Sequence, residues 1–149
     1  MEVSVKTFGE LEKEELYQVL QLRAAIFVVE QECAYQDLDG KDRKALHVLG
    51  KENGDVVAYT RVFGPGDYFD DASIGRVAVR SDFRGKGLGL EIMEASLEVV
   101  RGRYAGVTIT LSAQQYLEKF YKDLGFRSIG ETYLEDGIPH IRMVKDPEN

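Results

Sequence analysis

Hydrophobic positions recur along the chain in two rhythms, every second residue or every third and fourth, and the changes of rhythm predict its elements. From Glu2 to Phe8, Val3, Val5 and Thr7 fall on one side, which predicts a first strand. From Glu14 onward, Leu16, Val19, Leu20, Ala24 and Phe27 place one apolar stripe on a helix running to about Glu30, although its end is rich in β-branched residues. Gln31 to Lys44 carries Glu32, Asp37, Asp39, Asp42 and Gly40, has neither rhythm, and reads as a loop. Leu46–Lys51 and Asp55–Phe63 are apolar runs joined through Asn53-Gly54, a strong hairpin signal. After the break at Gly64-Pro65-Gly66-Asp67, Ala72–Val79 resumes as a strand, and Ser81–Gly89 turns into a second helix. Leu88, Ile92, Ala95 and Val99 form the expected buried face of that helix and Gly102 its expected end. Val107–Leu111 reads as a strand and Gln114–Leu124 as a helix closed by Gly125. Arg127–Tyr133 and Ile138–Lys145 read as a hairpin turning at Glu135-Asp136-Gly137. About seven strands and three helices, with no repeat or linker, predict one domain over residues 1–149 of mixed α/β type.

Composition narrows the partners. A chain of 149 residues that is 44% hydrophobic can bury about 68–70% of its unfolded surface without disulfides or a structural metal. The longest apolar run, Ala24–Val29, is far short of the ~20 residues of a membrane span, and no signal-peptide pattern follows Met1, so no membrane role is expected. The net charge of −7 argues against nucleic-acid binding. The lone Cys33 has no intrachain partner, which fits a reducing compartment and makes the cytoplasm the expected location.

Against that acidic background, Ser73–Gly89 stands out as a strand feeding a glycine-rich turn that opens a helix. Glycines at 85, 87 and 89 allow backbone N–H groups to crowd around an anion, and the helix N-terminus adds about half a positive charge. Arg76, Arg80, Arg84 and Lys86 face only Asp82, a local excess of three positive charges. Neither a Walker A loop nor a dinucleotide fingerprint fits, since no Lys-Ser/Thr closes the turn and Leu90 stands where the fingerprint requires Gly or Ala. The plainer alternative, a glycine-bearing helix start with surface cations, stays open on the loop alone.

Arg84-Gly85-Lys86-Gly87-Leu88-Gly89 resembles the R/Q-x-x-G-x-G/A signature of the GNAT N-acetyltransferase superfamily. Leu111-Ser112-Ala113-Gln114-Gln115 through Phe120-Tyr121 to Gly125-Phe126 resembles its second cofactor-side motif. Leu22-Arg23, Val28-Val29-Glu30-Gln31 and Glu135 to Ile141 resemble the ElaA-like branch. The resemblance covers most of the chain and implies the GNAT acyl-CoA N-acyltransferase fold, a mixed, mostly antiparallel sheet whose central strands splay apart.

The same resemblance implies acetyl-coenzyme A as cosubstrate, with Arg84, Gly85, Lys86, Gly87, Leu88 and Gly89 holding its diphosphate. Edge amides of Val77 and Val79 take its pantetheine arm and polarise the thioester, and Gln114 stands on the cofactor side. Transfer to an amine needs a proton acceptor, because a lysine-type amine near pKa 10.4 is charged at neutral pH. His140 is the expected base, with Glu30 and Glu135 in reserve. Tyr121 is the expected proton donor to the departing thiolate. Arg23 and Arg76 are expected to grip an anionic group on the acceptor, with Glu30 also on the acceptor side, and surface ion pairing is the plainer reading of both arginines. The acidic region of Glu30, Glu32, Asp37, Asp39 and Asp42 offers either attraction for a polyamine or basic peptide or merely a solvated face.

No metal is expected. Placing Gly40 at the sixth position of a calcium loop puts Tyr35 first and Leu46 last, where acids are required, and one Cys with two distant His makes no zinc site. Cys33 lacks a nucleophile signature and His47 is assigned to structure. The acceptor class stays open between small amine, amino-acid derivative and peptide. A noncatalytic acyl-coenzyme A sensor or peptide-binding module on the same fold is the rival reading, and a homodimer is the base-rate expectation for assembly.

Overall fold

The computed structural model describes residues 1–147, so the last two residues of the expected 1–149 domain lie outside the described residues. Seven strands form one sheet: β1 (Glu2–Thr7), β2 (Leu46–Glu52), β3 (Asp55–Phe63), β4 (Ala72–Val79), β5 (Ile109–Gln114), β6 (Arg127–Glu135) and β7 (Ile138–Lys145). Their spatial order is β1-β2-β3-β4-β5-β7-β6. Every neighbouring pair is antiparallel except β4 and β5, which run parallel and pair only at Ala72 with Ile109 and Ser73 with Thr110. Beyond those two steps the strands diverge and leave a fork in the middle of the sheet. The fork needs the chain to cross over between β4 and β5, which α2 (Leu88–Arg103) provides.

Alternation sends the side chains of β2 and β3 to two covered faces, so both strands are buried along most of their length. Val48, Ala58 and Val62 face α2, packing with Ile92, Met93, Leu97 and Val100. Leu49 and Tyr59 face the opposite way, toward Val19, Leu22 and Ile26 of the first helical stretch. Sheet and helices therefore bury both faces of the N-terminal half. At the far edge, β6 is largely exposed and bows, three of its residues standing opposite one of β7 between the pairs Ile129–Arg142 and Tyr133–His140, with Gly130 at φ 71°.

Several elements differ from expectation for identifiable reasons. The first helix is α1 (Lys13–Arg23) followed by a π-helical stretch, Ala24–Glu30, with Gln31 N–H donating to Ile26 at 3.1 Å, so the crowded β-branched run widens the helix rather than ending it. The buried face of α2 is rotated from the expected one. Ser96 lies fully buried in it, its hydroxyl hydrogen-bonded to Ile92 carbonyl and Thr60, while Ala95 and Val99 sit at the margin. Gly102 does not end α2, which runs to Arg103. Strand β5 starts two residues late and extends to Gln114. The third helix contracts to a 3₁₀ turn at Gln115–Leu117 and α3 (Glu118–Asp123), with Gly125 at φ 98°.

Two buried polar groups brace the sheet, Glu15 tying the first helix to β1 and β2 and His47 tying β2 to β3 and to the loop at Asp42. Against the pull of burial, hydrogen bonds from Lys51, Lys6 and the Glu12 amide hold the Glu15 carboxyl at about 2. His47 is enclosed, with Nε2 2.9 Å from the Asp42 carbonyl, to which it must donate, and Nδ1 accepting from the Tyr59 hydroxyl at 2.6 Å. Burial holds its titration below the ordinary histidine value.

The neutral His47 ring is the folded form, so its stabilisation is complete above the unfolded value near 6.5 and is lost as pH falls below it. The Glu15 contribution is complete above about 4.5 and fades toward 2. Urea unfolding at fixed ionic strength should show stability declining from about pH 7 to pH 5, and His47→Gln should flatten that decline. An unchanged slope in the variant would assign the decline to other groups.

Candidate active site

A β-bulge shapes the strand beside the fork. Tyr59 pairs with Ala78 and Arg61 with Gly75, so Thr60 alone stands opposite both Arg76 and Val77, and Arg76 adopts φ 50°. Arg80 N–H donates to Val57 across β3 at 2.8 Å, and because successive amides alternate edges, those of Val79 and Val77 point away from β3 into the fork. The fork holds a cavity of about 520 Å³ whose apolar wall includes Ile26, Phe27, Leu111, Leu117 and Phe120.

At its mouth lies the turn before α2. Gly85 at φ 78° and Gly87 at φ 77° occupy the left-handed region that a Cβ disfavours, which turns their amides into a concave nest ahead of the helix N-terminus. Gly89 departs from this pattern. It lies inside the first turn of α2, where an added Cβ would meet the Val79 side chain in ordinary contact at 3.8 Å. Leu88 lines the cavity, whereas the Lys86 ammonium sits outside it over the Phe83 ring at 4.7 Å. The Arg84 guanidinium forms a two-pronged ion pair with Glu30 at 2.6 and 2.8 Å and also reaches the Val79 carbonyl at 3.3 Å. Arg84 holds the Glu30 carboxyl below the usual carboxylate range. Gln114 is paired amide to amide with Gln31, both contacts 3.3 Å.

On the other wall, β7 places His140 opposite both Gln114 of β5 and Tyr133 of β6. The buried ring donates from Nδ1 to the Ile138 carbonyl, 2.7 Å away, because a carbonyl can only accept. That bond aims Nε2 at Glu135 Oε2, 3.3 Å away. Tyr133 stacks on the ring at 6.1 Å and hydrogen-bonds Ser112, whose hydroxyl is 3.5 Å from Glu135 Oε1. Residues 112, 133 and 135 thus form a frame around His140. The sequence pattern gives Tyr133 as a strand residue with no role in the site, and its register opposite His140 is what identifies it.

Tyr121 lies in α3 against Phe120 and Phe126, buried but lining the cavity, and its hydroxyl has no hydrogen-bond partner among the described residues. Burial pushes the phenol up to about 12. The phenol is a standing donor, and against a thiolate whose acid titrates near 8.5 it offers a hydrogen bond more readily than complete proton transfer.

The expected acceptor residues separate. Arg23 is wholly buried, its Nε on Asp37 at 2.9 Å, Nη1 on Asp42 at 2.8 Å and Nη2 on the Asp37 carbonyl at 3.2 Å, so it has no surface left for a ligand. It lies on the inner stripe of α1, a phase that its charge disguises in the sequence. Arg76 does line the cavity while its Nε holds Asp37 at 2.7 Å. The Glu30 carboxylate is engaged by Arg84 rather than left free for an acceptor. Of the acidic region, Asp37, Asp39 and Asp42 are neutralised by Arg23, Arg61 and Arg76 and Glu30 by Arg84, while Glu32 stays on the exposed surface. Cys33 lines the cavity with Sγ 3.3 Å from the Asp136 carbonyl, and no cluster of potential metal ligands occurs among the described residues. Among those residues no helix is long and apolar enough to cross a membrane.

The family model described as an acetyltransferase (GNAT) domain matches residues 9–147. Protein ElaA of Escherichia coli is 42% identical over 140 residues, 93% of this chain and 92% of that one. The crystal structure of E. coli ElaA superposes with a TM-score of 0.91 at 40% identity, covering 97% of this chain and 99% of that one. A Pseudomonas aeruginosa structure described as an acyl-CoA N-acyltransferase gives 0.92 at 38% identity over the same shares. A GNAT acetyltransferase of Elizabethkingia anophelis, solved with acetyl-CoA bound, is 13% identical and shares the fold at 0.69, over 97% of each chain.

Removing the Arg23 guanidinium leaves two carboxylates enclosed without it, so Arg23→Ala should cost about 3–5 kcal/mol of stability, read as a fall in the urea midpoint. A stable variant with impaired ligand binding would return Arg23 to the acceptor site.

Proposed function

The chain belongs to the acetyltransferase (GNAT) family, and from that premise we propose that it is an N-acetyltransferase carrying acetyl from acetyl-coenzyme A directly to a primary amine. The observation that carries this reading is the fork itself. It puts a glycine nest, a β4 edge that β5 leaves after Ser73, a framed histidine and a phenol with no hydrogen-bond partner among the described residues around one cavity. The description of the P. aeruginosa relative as an acyl-CoA N-acyltransferase supports the donor class. We read residues 1–149 as one catalytic domain working in the cytoplasm, where Cys33 stays reduced.

In this mechanism the nest at residues 84–89 and the N-terminus of α2 hold the diphosphate of the donor. The amides of Val77 and Val79 receive the pantetheine arm and the carbonyl oxygen as charge develops on it. His140 Nε2 accepts the proton of the attacking amine, and Glu135 faces the imidazolium so formed. The C–N bond forms as the C–S bond breaks. The Tyr121 hydroxyl donates a hydrogen bond to the departing sulfur, where a thiolate gains most from it. Arg76, fixed by Asp37 at the bulge, faces the acceptor.

Tyr121→Phe should lower kcat by about 10²-fold with little change in coenzyme A affinity, measured by thiol release and calorimetry. Thiol release from acetyl-coenzyme A against a panel of primary amines tests the activity, with His140→Ala expected to be strongly impaired. Coenzyme A binding without thiol release for any amine, and indifferent to both substitutions, would instead support the noncatalytic sensor.

A further inference from the structure

The nest at the cavity mouth is built for an anion, yet Arg84, one of its two cations, is already engaged by a carboxylate. Arg84 closes its fork on Glu30 with both prongs, a geometry that suits carboxylate and phosphate alike. The two side chains are 44% and 43% exposed, so the pair lies within reach of an incoming ligand. The ion pair bridges 54 positions of sequence, from the anion loop to the end of the π-helical stretch. Two other contacts fasten the residues that follow, Gln31 to Gln114 on β5 and Cys33 to the Asp136 carbonyl at the β6–β7 turn. Residues 30–33 therefore form a strap tied at three points around the cavity. Glu32, at φ 49°, marks the bend between the second and third ties.

We propose that Glu30 is a resident occupant of the Arg84 fork, displaced by the diphosphate of the donor, and so a specificity-determining residue for diphosphate-bearing thioesters. This rests on the donor reading above. A diphosphate entering the nest meets the Glu30 carboxylate, and both cannot hold the same two guanidinium N–H groups. The ligand must break the ion pair, recovers the guanidinium for itself, and in doing so frees the first tie of the strap. A ligand that offers only the pantetheine arm enters the fork without touching the pair. Glu30 thus lowers affinity selectively for ligands that use the nest, and couples their arrival to release of the strap beside the acceptor side of the cavity.

The test compares coenzyme A with pantetheine, which lacks the diphosphate, by calorimetry on the wild-type chain and on Glu30→Gln. The exposed position of Glu30 leaves the fold intact in this variant, which a thermal melt checks. The expected result is about fivefold tighter coenzyme A binding in Glu30→Gln with pantetheine affinity unchanged. A crystal structure with coenzyme A should show the Arg84 guanidinium on a phosphate oxygen and the Glu30 carboxylate beyond about 4 Å from it. Unchanged or weaker coenzyme A binding in Glu30→Gln, equal gains for both ligands, or a Glu30–Arg84 pair that persists in the complex would each overturn the proposal and leave the donor reading standing. Failure of coenzyme A to bind the wild-type chain would remove the donor reading itself.

Discussion

Everything chemical in this molecule depends on a ladder that stops. Strands β4 and β5 hold each other for two steps, at Ala72–Ile109 and Ser73–Thr110, and then part. A parallel pair running further would satisfy its own edge amides and leave no room between them. Because it ends early, the β4 edge beyond Ser73 faces a cavity, and the loop after β4 and the end of β5 stand on opposite banks of it. The bulge at Arg76 and Val77 belongs to the same device, since it bends β4 while keeping its outer pairing to β3.

A second arrangement keeps the fork in shape. Three arginines, from α1, β3 and the bulge, converge on Asp37, Asp39 and Asp42 of one irregular loop. Such a cluster is poor evidence for net stability, because desolvating six charges is expensive, and Arg61 Nε remains buried without a partner among the described residues. Its value is positional. Asp37 accepts from Arg23 at one oxygen and from Arg76 at the other, so the helix, the loop and the bulge hold one another in place. A loop without periodicity is thereby pinned to three elements at once.

Most of the architecture was legible because its elements bury faces at their natural periods. The hairpin at Asn53-Gly54, strand β4 and the closing β6–β7 hairpin followed directly from alternation and turn residues. What misled was polarity inside the core. Ser96 and Arg23 are polar residues on buried stripes, one satisfied by Ile92 and Thr60 and the other by Asp37 and Asp42, and a stripe drawn from apolar residues alone misses both. The candidate site divided along the same line. Gly85 and Gly87 were readable because a turn free of Cβ atoms before a helix suits an anion, which their left-handed backbone bears out, and His140 and Tyr121 came through resemblance. The frame of Ser112, Tyr133 and Glu135 around His140 arises from register between strands distant in sequence, which local pattern does not encode.

The bowed edge of the sheet bears on how such a chain survives in a crowded solution. A straight outer strand exposes a row of unmet donors and acceptors to which a second molecule can add, and then a third, as a growing ribbon. Strand β6 breaks that row. Its three residues opposite one on β7, with Gly130 at φ 71° and the charged Glu131 beside it, deny an incoming strand a continuous register. The irregularity that makes this edge look imperfect is a safeguard against runaway polymerisation.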